Sequence, residues 1–163
     1  MKKGAQFQVS FGVIFSIIVI VATLAIAGYI IIQFLNTGNN TQCKLFVSDL
    51  QKKINEAWSS DGASSYVFSE SVPSGTNQLC FGYINDTSPS TNDAQIQQNI
   101  TNYATYQSNT FFYPRNSCGG SSFYYTLQHI ETNGFFCIKI INGNANIAIT
   151  KGTFDPLVKL SKQ

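Results

Sequence analysis

The chain has 163 residues, of which 44% are hydrophobic and only 11% are charged, and its formal net charge is +2. Lys2 and Lys3 account for that excess, so the rest of the chain carries equal numbers of basic and acidic residues. Nucleic-acid binding needs clustered lysine and arginine, and this composition therefore predicts no nucleic-acid partner.

The first predicted element is a helix over residues 11–35, a run without a charged side chain. At about 1.5 Å per residue such a helix measures roughly 37 Å, more than the hydrocarbon core of a bilayer at about 30 Å. A buried core helix is the alternative, but core helices usually keep a polar face and residues 13–32 show none. We therefore expect residues 11–35 to form a transmembrane helix.

The flanks of this run predict its orientation. Lys2 and Lys3 precede it, and the next charge is Lys44. Because positive charge stays on the cytoplasmic side, residues 1–10 form a cytoplasmic leader and residues 36–163 an extracellular domain of a single-pass cell-membrane protein. A cleavable secretory signal fits less well, since its apolar core covers only about 7–15 residues.

A second, amphipathic helix is expected from Thr41 or Gln42 to Trp58. The polar cluster at 36–41 is typical of a helix break and predicts a break or kink between the two helices. The apolar positions of the second helix recur at helical spacing; they are Phe46, Leu50, Ile54, Ala57 and Trp58. We expect this stripe to pack on the domain's own sheet, with a partner-docking face as the alternative.

Beyond Gly62 the pattern changes to short apolar runs that predict strands. They cover residues 65–69, 78–84, 111–113, 123–130, 135–141 and 145–150, with a weak helix at 93–106 and a closing strand or docked tail at 154–160. Asn133-Gly134 and Asn142-Gly143 separate the last three strands and indicate hairpin turns, hence an antiparallel meander. The predicted fold class is α+β, an amphipathic helix packed on an antiparallel sheet.

The four cysteines are Cys43, Cys80, Cys118 and Cys137. An even number in an oxidising compartment predicts two disulfides, with three connectivities open. Sequence separation favours Cys43–Cys80 and Cys118–Cys137 without determining the pairing. Buried thiols are one alternative. A zinc site of three cysteines and His129 is disfavoured, because no two cysteines have the close spacing of zinc ligands.

Motifs for catalysis, phosphate or calcium binding are missing from the sequence, so we expect no enzyme activity, no cofactor and no metal site. His129 and Glu131 would share one face of a strand, and we interpret them as a polar pair rather than a catalytic base and its orienter. Three N-x-Ser/Thr triplets, at Asn39, Asn85 and Asn99, are glycosylation candidates.

Aromatic residues are dense between positions 111 and 136. Adjacent residues of a strand point to opposite faces, so part of this set must face away from the core. Tyr113, Phe123 and Tyr125 are the candidate interaction face. This row either packs against another subunit or stacks on sugars, unless a helix or the C-terminal tail covers it.

The leader reads Lys2-Lys3-Gly4-Ala5-Gln6, followed by Gln8-Val9-Ser10-Phe11-Gly12. It resembles the class III signal peptides of archaeal type IV pilins, in which a basic residue and a glycine precede the cleavage point. Their Gln-x-Ser-x-Glu stretch then enters the apolar helix, and Gly12 stands in place of its glutamate. The resemblance implies that a prepilin peptidase cuts after Gly4 and leaves Ala5 as the N-terminus.

The same resemblance implies a function. In pilin-like proteins the apolar helix is the membrane anchor before assembly and, through self-association, the filament core afterwards, and it leads into an α+β head. The expected function is therefore a structural subunit of a cell-surface filament. The leader and helix are also similar to those of small membrane-anchored archaeal surface proteins of unassigned role, so a monomeric surface module for binding or adhesion is the alternative.

Overall fold

The computed structural model describes residues 10–88, 90–120 and 122–163. The chain divides into two compact units, Met1–Leu35 and Asn36–Gln163. The elements in chain order are α1 (Phe11–Trp58), β1 (Ser64–Ser71), β2 (Gln78–Phe81), α2 (Thr91–Thr101), β3 (Thr110–Tyr113), β4 (Tyr124–Tyr125), β5 (Ile130–Thr132), β6 (Phe136–Lys139), β7 (Asn144–Lys151) and β8 (Val158–Lys162). The α+β class is confirmed.

The two predicted helices are one helix of 48 residues, and the predicted break at 36–41 is wrong. Two contacts within the second unit oppose that break. Cys43 is bonded to Cys118, and the main chain at Gly119 lies so close to Asn36 that a β-carbon on Gly119 would overlap its carbonyl. These contacts hold a polar segment in helical conformation, so tertiary packing overrides its weak helix propensity.

The amphipathic pattern predicted for the C-terminal part of α1 is confirmed at four of its five positions; the fifth, Trp58, is 42% exposed. The buried residues of this part are Cys43, Phe46, Leu50, Ile54 and Ala57. They belong to a core cluster that includes residues of both sheets. The ring of Phe46 packs edge-on against Phe68 and Phe112, with centroids 5.5 and 5.7 Å away. Such edge-to-face pairs add specificity to the apolar burial.

In the described chain the strands form two four-stranded sheets rather than one. Their orders are β1-β7-β8-β5 and β4-β3-β2-β6. Every pair is antiparallel except β5 with β8, which is parallel. The prediction of a single antiparallel sheet is therefore corrected to one mixed and one antiparallel sheet, and α1 packs against residues of both.

The predicted meander is wrong, because the run at 123–130 splits between the sheets. Its start is β4 and its end leads into β5. Between them, the buried side chain of Asn109 donates to the carbonyl of Leu127 and accepts from its N–H, both at 2.8 Å. His129 then takes a left-handed conformation with φ 61°. A side chain thus replaces the strand partner that would have continued the ladder.

The second sheet is buried on both faces, which hides its register from sequence patterns. In β2, Leu79 and Phe81 belong to the core cluster that contains α1, whereas Cys80 belongs to a second cluster. That second cluster contains Ile96 and Ile100 of α2. This helix covers Thr91–Thr101, so it begins before the start of the predicted helix at 93–106 and ends before its end. Strands covered on both faces read as continuous apolar runs, without the alternation that reveals a face.

Two disulfides are confirmed, but the pairing favoured by sequence separation is wrong. The bonds are Cys43–Cys118 and Cys80–Cys137. Cys80 and Cys137 stand directly opposite each other in the β2–β6 register, and Cys43 lies on the buried side of α1. Strand register and helix face, not distance along the chain, select the partners. All four sulfurs are bonded, so neither free thiols nor a zinc site is present at them.

Candidate functional site

The first functional surface is the apolar part of α1. Every side chain from 11 to 35 is exposed, and the helix is long and apolar enough to cross a membrane. Its exposed residues include large side chains such as Phe15, Leu24 and Ile31. An apolar surface of this extent is rare on a soluble monomer, and surfaces of this kind are typical of sites for lipid or for other chains.

The polar side chains of this segment bond within the helix itself. The Ser16 hydroxyl donates to the carbonyl of Gly12, and the Thr23 hydroxyl donates to that of Ile20, both at 2.8 Å. The Gln33 amide donates to the Tyr29 hydroxyl at 2.9 Å. Local satisfaction of this kind is what an apolar environment requires, because lipid offers no hydrogen-bond partner.

The predicted processing residues Gly4 and Ala5 lie outside the described residues. Gly12, the position that departs from the pilin pattern, lies in the first turn of α1. Among the described residues, the nearest atom that a β-carbon there would meet is the hydroxyl oxygen of Ser10, at 3.7 Å. Within the described chain, a β-carbon at this position would therefore make only an ordinary van der Waals contact.

The three residues of the predicted aromatic face do not come together on one exposed face. Phe123 is buried in the cluster that contains α2. Tyr125 packs on the other cluster, edge-on to Phe112 with centroids 5.8 Å apart. Burial raises the pKa of the Tyr125 phenol. Tyr124, not Tyr125, packs on the cluster that contains Phe123, and Tyr113 packs there as well. Alternation puts Tyr124 and Tyr125 on opposite faces of β4, but it does not extend back to Phe123, which precedes the strand.

Tyr113 and Phe123 instead line an open cleft with a volume of about 770 Å³. We call it the aromatic cleft; its other lining residues are Asn99, Tyr103, Pro114, Arg115, Asn116, Gly120 and Tyr124. Sequence reasoning found two of its aromatic residues and missed the rest. Tyr103 and Arg115 could be found only from the fold, since α2 must pack on the second sheet before they meet.

One charge dominates the aromatic cleft. Arg115, the only arginine of the chain, holds its guanidinium carbon 3.4 Å from the centroid of the Tyr103 ring. No aspartate or glutamate lines the cleft among the described residues. The three ion pairs found in the described part of the chain all use lysine. Arg115 thus carries a positive charge that no carboxylate of the described chain neutralises.

The glycosylation candidates differ in their surroundings. Asn39 is half-buried within α1, whereas Asn85 is exposed in the turn that follows β2. Asn99 is exposed on α2 and lines the aromatic cleft. A sugar attached to Asn99 would therefore leave the protein at the cleft itself.

His129 and Glu131 form no catalytic arrangement in the described structure. The His129 ring stacks on Trp58, with centroids 3.8 Å apart and planes 3° from parallel. Its Nδ1 lies 3.4 Å from the Oδ1 of Asn55, and Glu131 is exposed on β5. His129 thus contacts α1, and no pattern in the sequence predicted this contact.

The described residues contain no group of three or more His, Cys, Asp or Glu side chains placed to hold a metal ion. Two surfaces remain as candidate sites, the apolar part of α1 and the aromatic cleft. The chain matches no protein-family profile, no curated protein and no solved structure.

Proposed function

We propose that this chain is a pilin-like structural subunit of an archaeal cell-surface filament, anchored in the cell membrane through residues 11–35. The observation that carries the proposal is the difference between the two parts of α1. One helix supplies a fully exposed apolar segment and, further along, the buried stripe of a disulfide-bonded α+β domain. A subunit that moves from membrane to filament needs both parts.

The exposed apolar segment needs an environment other than water. Its large side chains between 11 and 35 are each worth about 1.5–3 kcal/mol when buried, so the total is on the order of tens of kcal/mol. A bilayer supplies that environment to a single chain, and a bundle of identical helices supplies it to an assembly. The proposed partners are therefore the membrane and further copies of this chain.

Three further features support an extracellular position for residues 36–163. Lys2 and Lys3 favour a cytoplasmic N-terminus. Disulfides persist in oxidising compartments and are rare in the cytosol, and the second unit holds two. The three sequons also lie in residues 36–163. We propose a non-enzymatic role, with a prepilin peptidase as the processing partner and Gly4–Ala5 as its cleavage point.

A monomeric membrane-anchored module for surface binding or adhesion is the second candidate function. Two observations favour it. Gly12 replaces the glutamate of the pilin pattern, and the aromatic cleft offers a binding site on a single chain. This candidate keeps the anchor and the outer domain but needs neither leader cleavage nor assembly.

The intact mass and N-terminal peptide of protein isolated from its native membrane, without reduction, test the proposal. We expect loss of residues 1–4 together with the mass of two disulfides. A Gly4→Leu variant, in which the cleavage point is changed, should keep its leader and serves as the control. If the wild-type leader is retained, the processed-pilin proposal is overturned and the monomeric module remains.

Assembly is tested separately by shearing cells and recovering surface filaments. Processed protein should appear in the filament fraction, and a Gly12→Glu variant should raise its yield if the acid aids subunit registration. Among the described residues, a β-carbon at Gly12 would make an ordinary van der Waals contact with the Ser10 hydroxyl oxygen, at 3.7 Å. Processed protein that stays in the membrane as a monomer would contradict the filament function while leaving the anchor intact.

A further inference from the structure

We propose that the aromatic cleft binds an acidic sugar, a saccharide bearing a carboxylate, with Arg115 as the contact for that carboxylate. The inference deepens the second candidate function, surface binding, and does not depend on filament assembly. It rests on three properties of the cleft: an arginine that pairs with no carboxylate of the described residues, four aromatic side chains in its lining, and two side-chain amides.

The position of Arg115 suits a planar anion. Its guanidinium carbon lies over the Tyr103 ring, 3.4 Å from the ring centroid, and Tyr103 itself is 55% exposed. A guanidinium that contacts an aromatic ring through one face keeps its N–H edges available for hydrogen bonds. Those edges match the two oxygens of a carboxylate, which arginine binds through paired hydrogen bonds. The cleft therefore selects for a carboxylate.

The aromatic walls suit a sugar ring. A pyranose has apolar C–H faces that pack on aromatic rings and hydroxyl edges that need hydrogen bonds. Tyr103, Tyr113, Phe123 and Tyr124 supply rings in several orientations; Phe123 and Tyr124 stand at 89° with centroids 5.3 Å apart. A ring entering the cleft thus meets aromatic surface on more than one side.

The amides of Asn99 and Asn116 complete the chemistry. Each side-chain amide offers two donors and one acceptor oxygen, the combination that pairs with neighbouring hydroxyl groups of a sugar. The volume of about 770 Å³ lies in the usual range of small-ligand sites and suits one or two sugar units. A nucleic acid is disfavoured, because a phosphate backbone needs several cations and the cleft has one.

An acidic sugar could reach the cleft from two sources. An acidic sugar comes either from a polysaccharide outside the cell or from a glycan on Asn99 of this chain, which lines the cleft. A glycan tethered at that point has a high effective concentration in the cleft and competes with sugars from outside. Thr101→Ala removes the acceptor motif while it keeps the Asn99 amide, so this variant separates the two sources.

The test is a calorimetric titration of the full-length chain in detergent micelles with a short oligogalacturonate and with its carboxyl-reduced, neutral counterpart. We expect the acidic oligosaccharide to bind at least about tenfold more tightly than the neutral one, as a charge-assisted bidentate pair implies. Equal binding of the two, or displacement of the acidic sugar by a short carboxylate peptide at equal concentration, overturns the proposal.

Variants assign the interaction to the cleft. Arg115→Gln should weaken oligogalacturonate binding about tenfold or more, and Arg115→Lys less, because lysine keeps the charge and loses the fork. Lys139→Gln, which removes one exposed charge on β6, is the matched control and should leave binding unchanged. An equal loss in both variants would show that net charge, not the cleft, attracts the sugar.

The Thr101→Ala arm is read against the glycosylated wild type. Binding in both assigns the site to sugar from outside, and binding only in Thr101→Ala shows that the chain's own glycan fills the cleft. Absence of binding in both overturns the site. Unchanged disulfide mass and unchanged Trp58 fluorescence check that each variant is folded, and leader processing is read independently by the N-terminal peptide.

Discussion

The two parts of α1 share one helix and differ in what covers them. Residues 11–35 are apolar on all sides and fully exposed. The part from Cys43 to Ala57 is apolar along one stripe, and that stripe is buried. A helix that packs on its own domain needs only a stripe, whereas one that is apolar all round needs an apolar surrounding on every side.

This difference separates two kinds of stability. The buried stripe contributes to the folding of residues 36–163, since its contacts lie within that unit. The apolar segment is exposed throughout in the described chain, so its side chains can be buried only by lipid or by other chains. Substitutions in the apolar segment should therefore weaken membrane association, whereas substitutions in the buried stripe should lower the free energy of unfolding.

The largest expected effect comes from charge in the apolar segment. Two arginines at Ile20 and Ala25 should raise the free energy of membrane insertion by about 5–7 kcal/mol, since one charge near the helix centre costs about 2.5–3.5 kcal/mol. We expect the Ile20→Arg/Ala25→Arg variant to leave the carbonate-resistant membrane fraction. The matched control, Leu45→Arg/Ser48→Arg, changes exposed positions of the other part and should stay. A membrane-retained Ile20→Arg/Ala25→Arg variant would contradict the anchor.

The next effect is expected in the buried stripe. Leu50 is fully buried and Leu45, on the same part of α1, is 58% exposed. Leu50→Ala should lower the free energy of unfolding by about 2–5 kcal/mol through lost burial and the cavity left behind. Leu45→Ala should change it by less than about 0.5 kcal/mol. Urea unfolding followed by Trp58 fluorescence measures both, and similar losses at the two sites would remove the distinction between them.

The two parts of α1 also differ in how far the sequence alone predicts them. The stripe of α1 was predictable, because its helical period survives in the sequence and its partners are simply apolar. The break at 36–41 was not, since the contacts that oppose it come from Gly119 and Cys118, far along the chain. Local propensity is a weak guide where distant main chain packs against the segment.

The sequence predicts the positions of the strands better than it predicts which strands pair. The runs of β2, β3, β6 and β7 are visible as apolar stretches, but Leu79 and Cys80 are both fully buried on opposite faces. A strand buried on both faces carries no alternation from which register or disulfide pairing could be read. The Asn142-Gly143 turn is present, with positive φ at both residues, yet its flanking strands join different sheets.

The aromatic cleft shows the same limit at a functional site. Tyr113 and Phe123 were candidates because aromatic residues are dense around them. Tyr103 and Arg115 had no such signal, since one follows α2 and the other follows β3. Only the packing of α2 on the second sheet brings the four together. Residues that meet through tertiary packing are invisible to patterns in one segment.

A smaller effect is expected where α1 ends. His129 stacks on Trp58 and has φ 61°, a conformation that costs a non-glycine residue about 1–2 kcal/mol. His129→Ala loses the stack and keeps the strain, so the free energy of unfolding should fall by about 1 kcal/mol. His129→Gly loses the stack and relieves the strain, so it should fall less.

Trp58, the only tryptophan of the chain, reports on this contact. Both variants should shift its emission, because the histidine ring leaves its face, while urea unfolding ranks their stability. A glycine variant less stable than the alanine variant would show that the left-handed conformation of His129 is not a cost to the fold.

The smallest effect concerns the turn that meets the end of α1, where the Trp58 N–H donates to the carbonyl of Pro156 at 3.1 Å. The neighbouring Asp155 accepts from the Lys159 ammonium at 2.9 Å and from the Gly152 N–H at 3.0 Å. The Lys159 bond first, and the Gly152 bond second, hold the pKa of Asp155 below its ordinary value of 3.8.

A carboxyl whose pKa is lower in the folded state stabilises the fold above its ordinary pKa, and this contribution is lost as pH falls through the lowered value. Asp155→Asn should therefore reduce stability slightly near neutral pH and flatten its decline between about pH 5 and pH 2. Asp61→Asn, an exposed carboxyl outside the turn, is the control and should keep the wild-type slope. If the wild type and Asp155→Asn decline in parallel, the turn at Asp155 is not an acid-sensitive support for the end of α1.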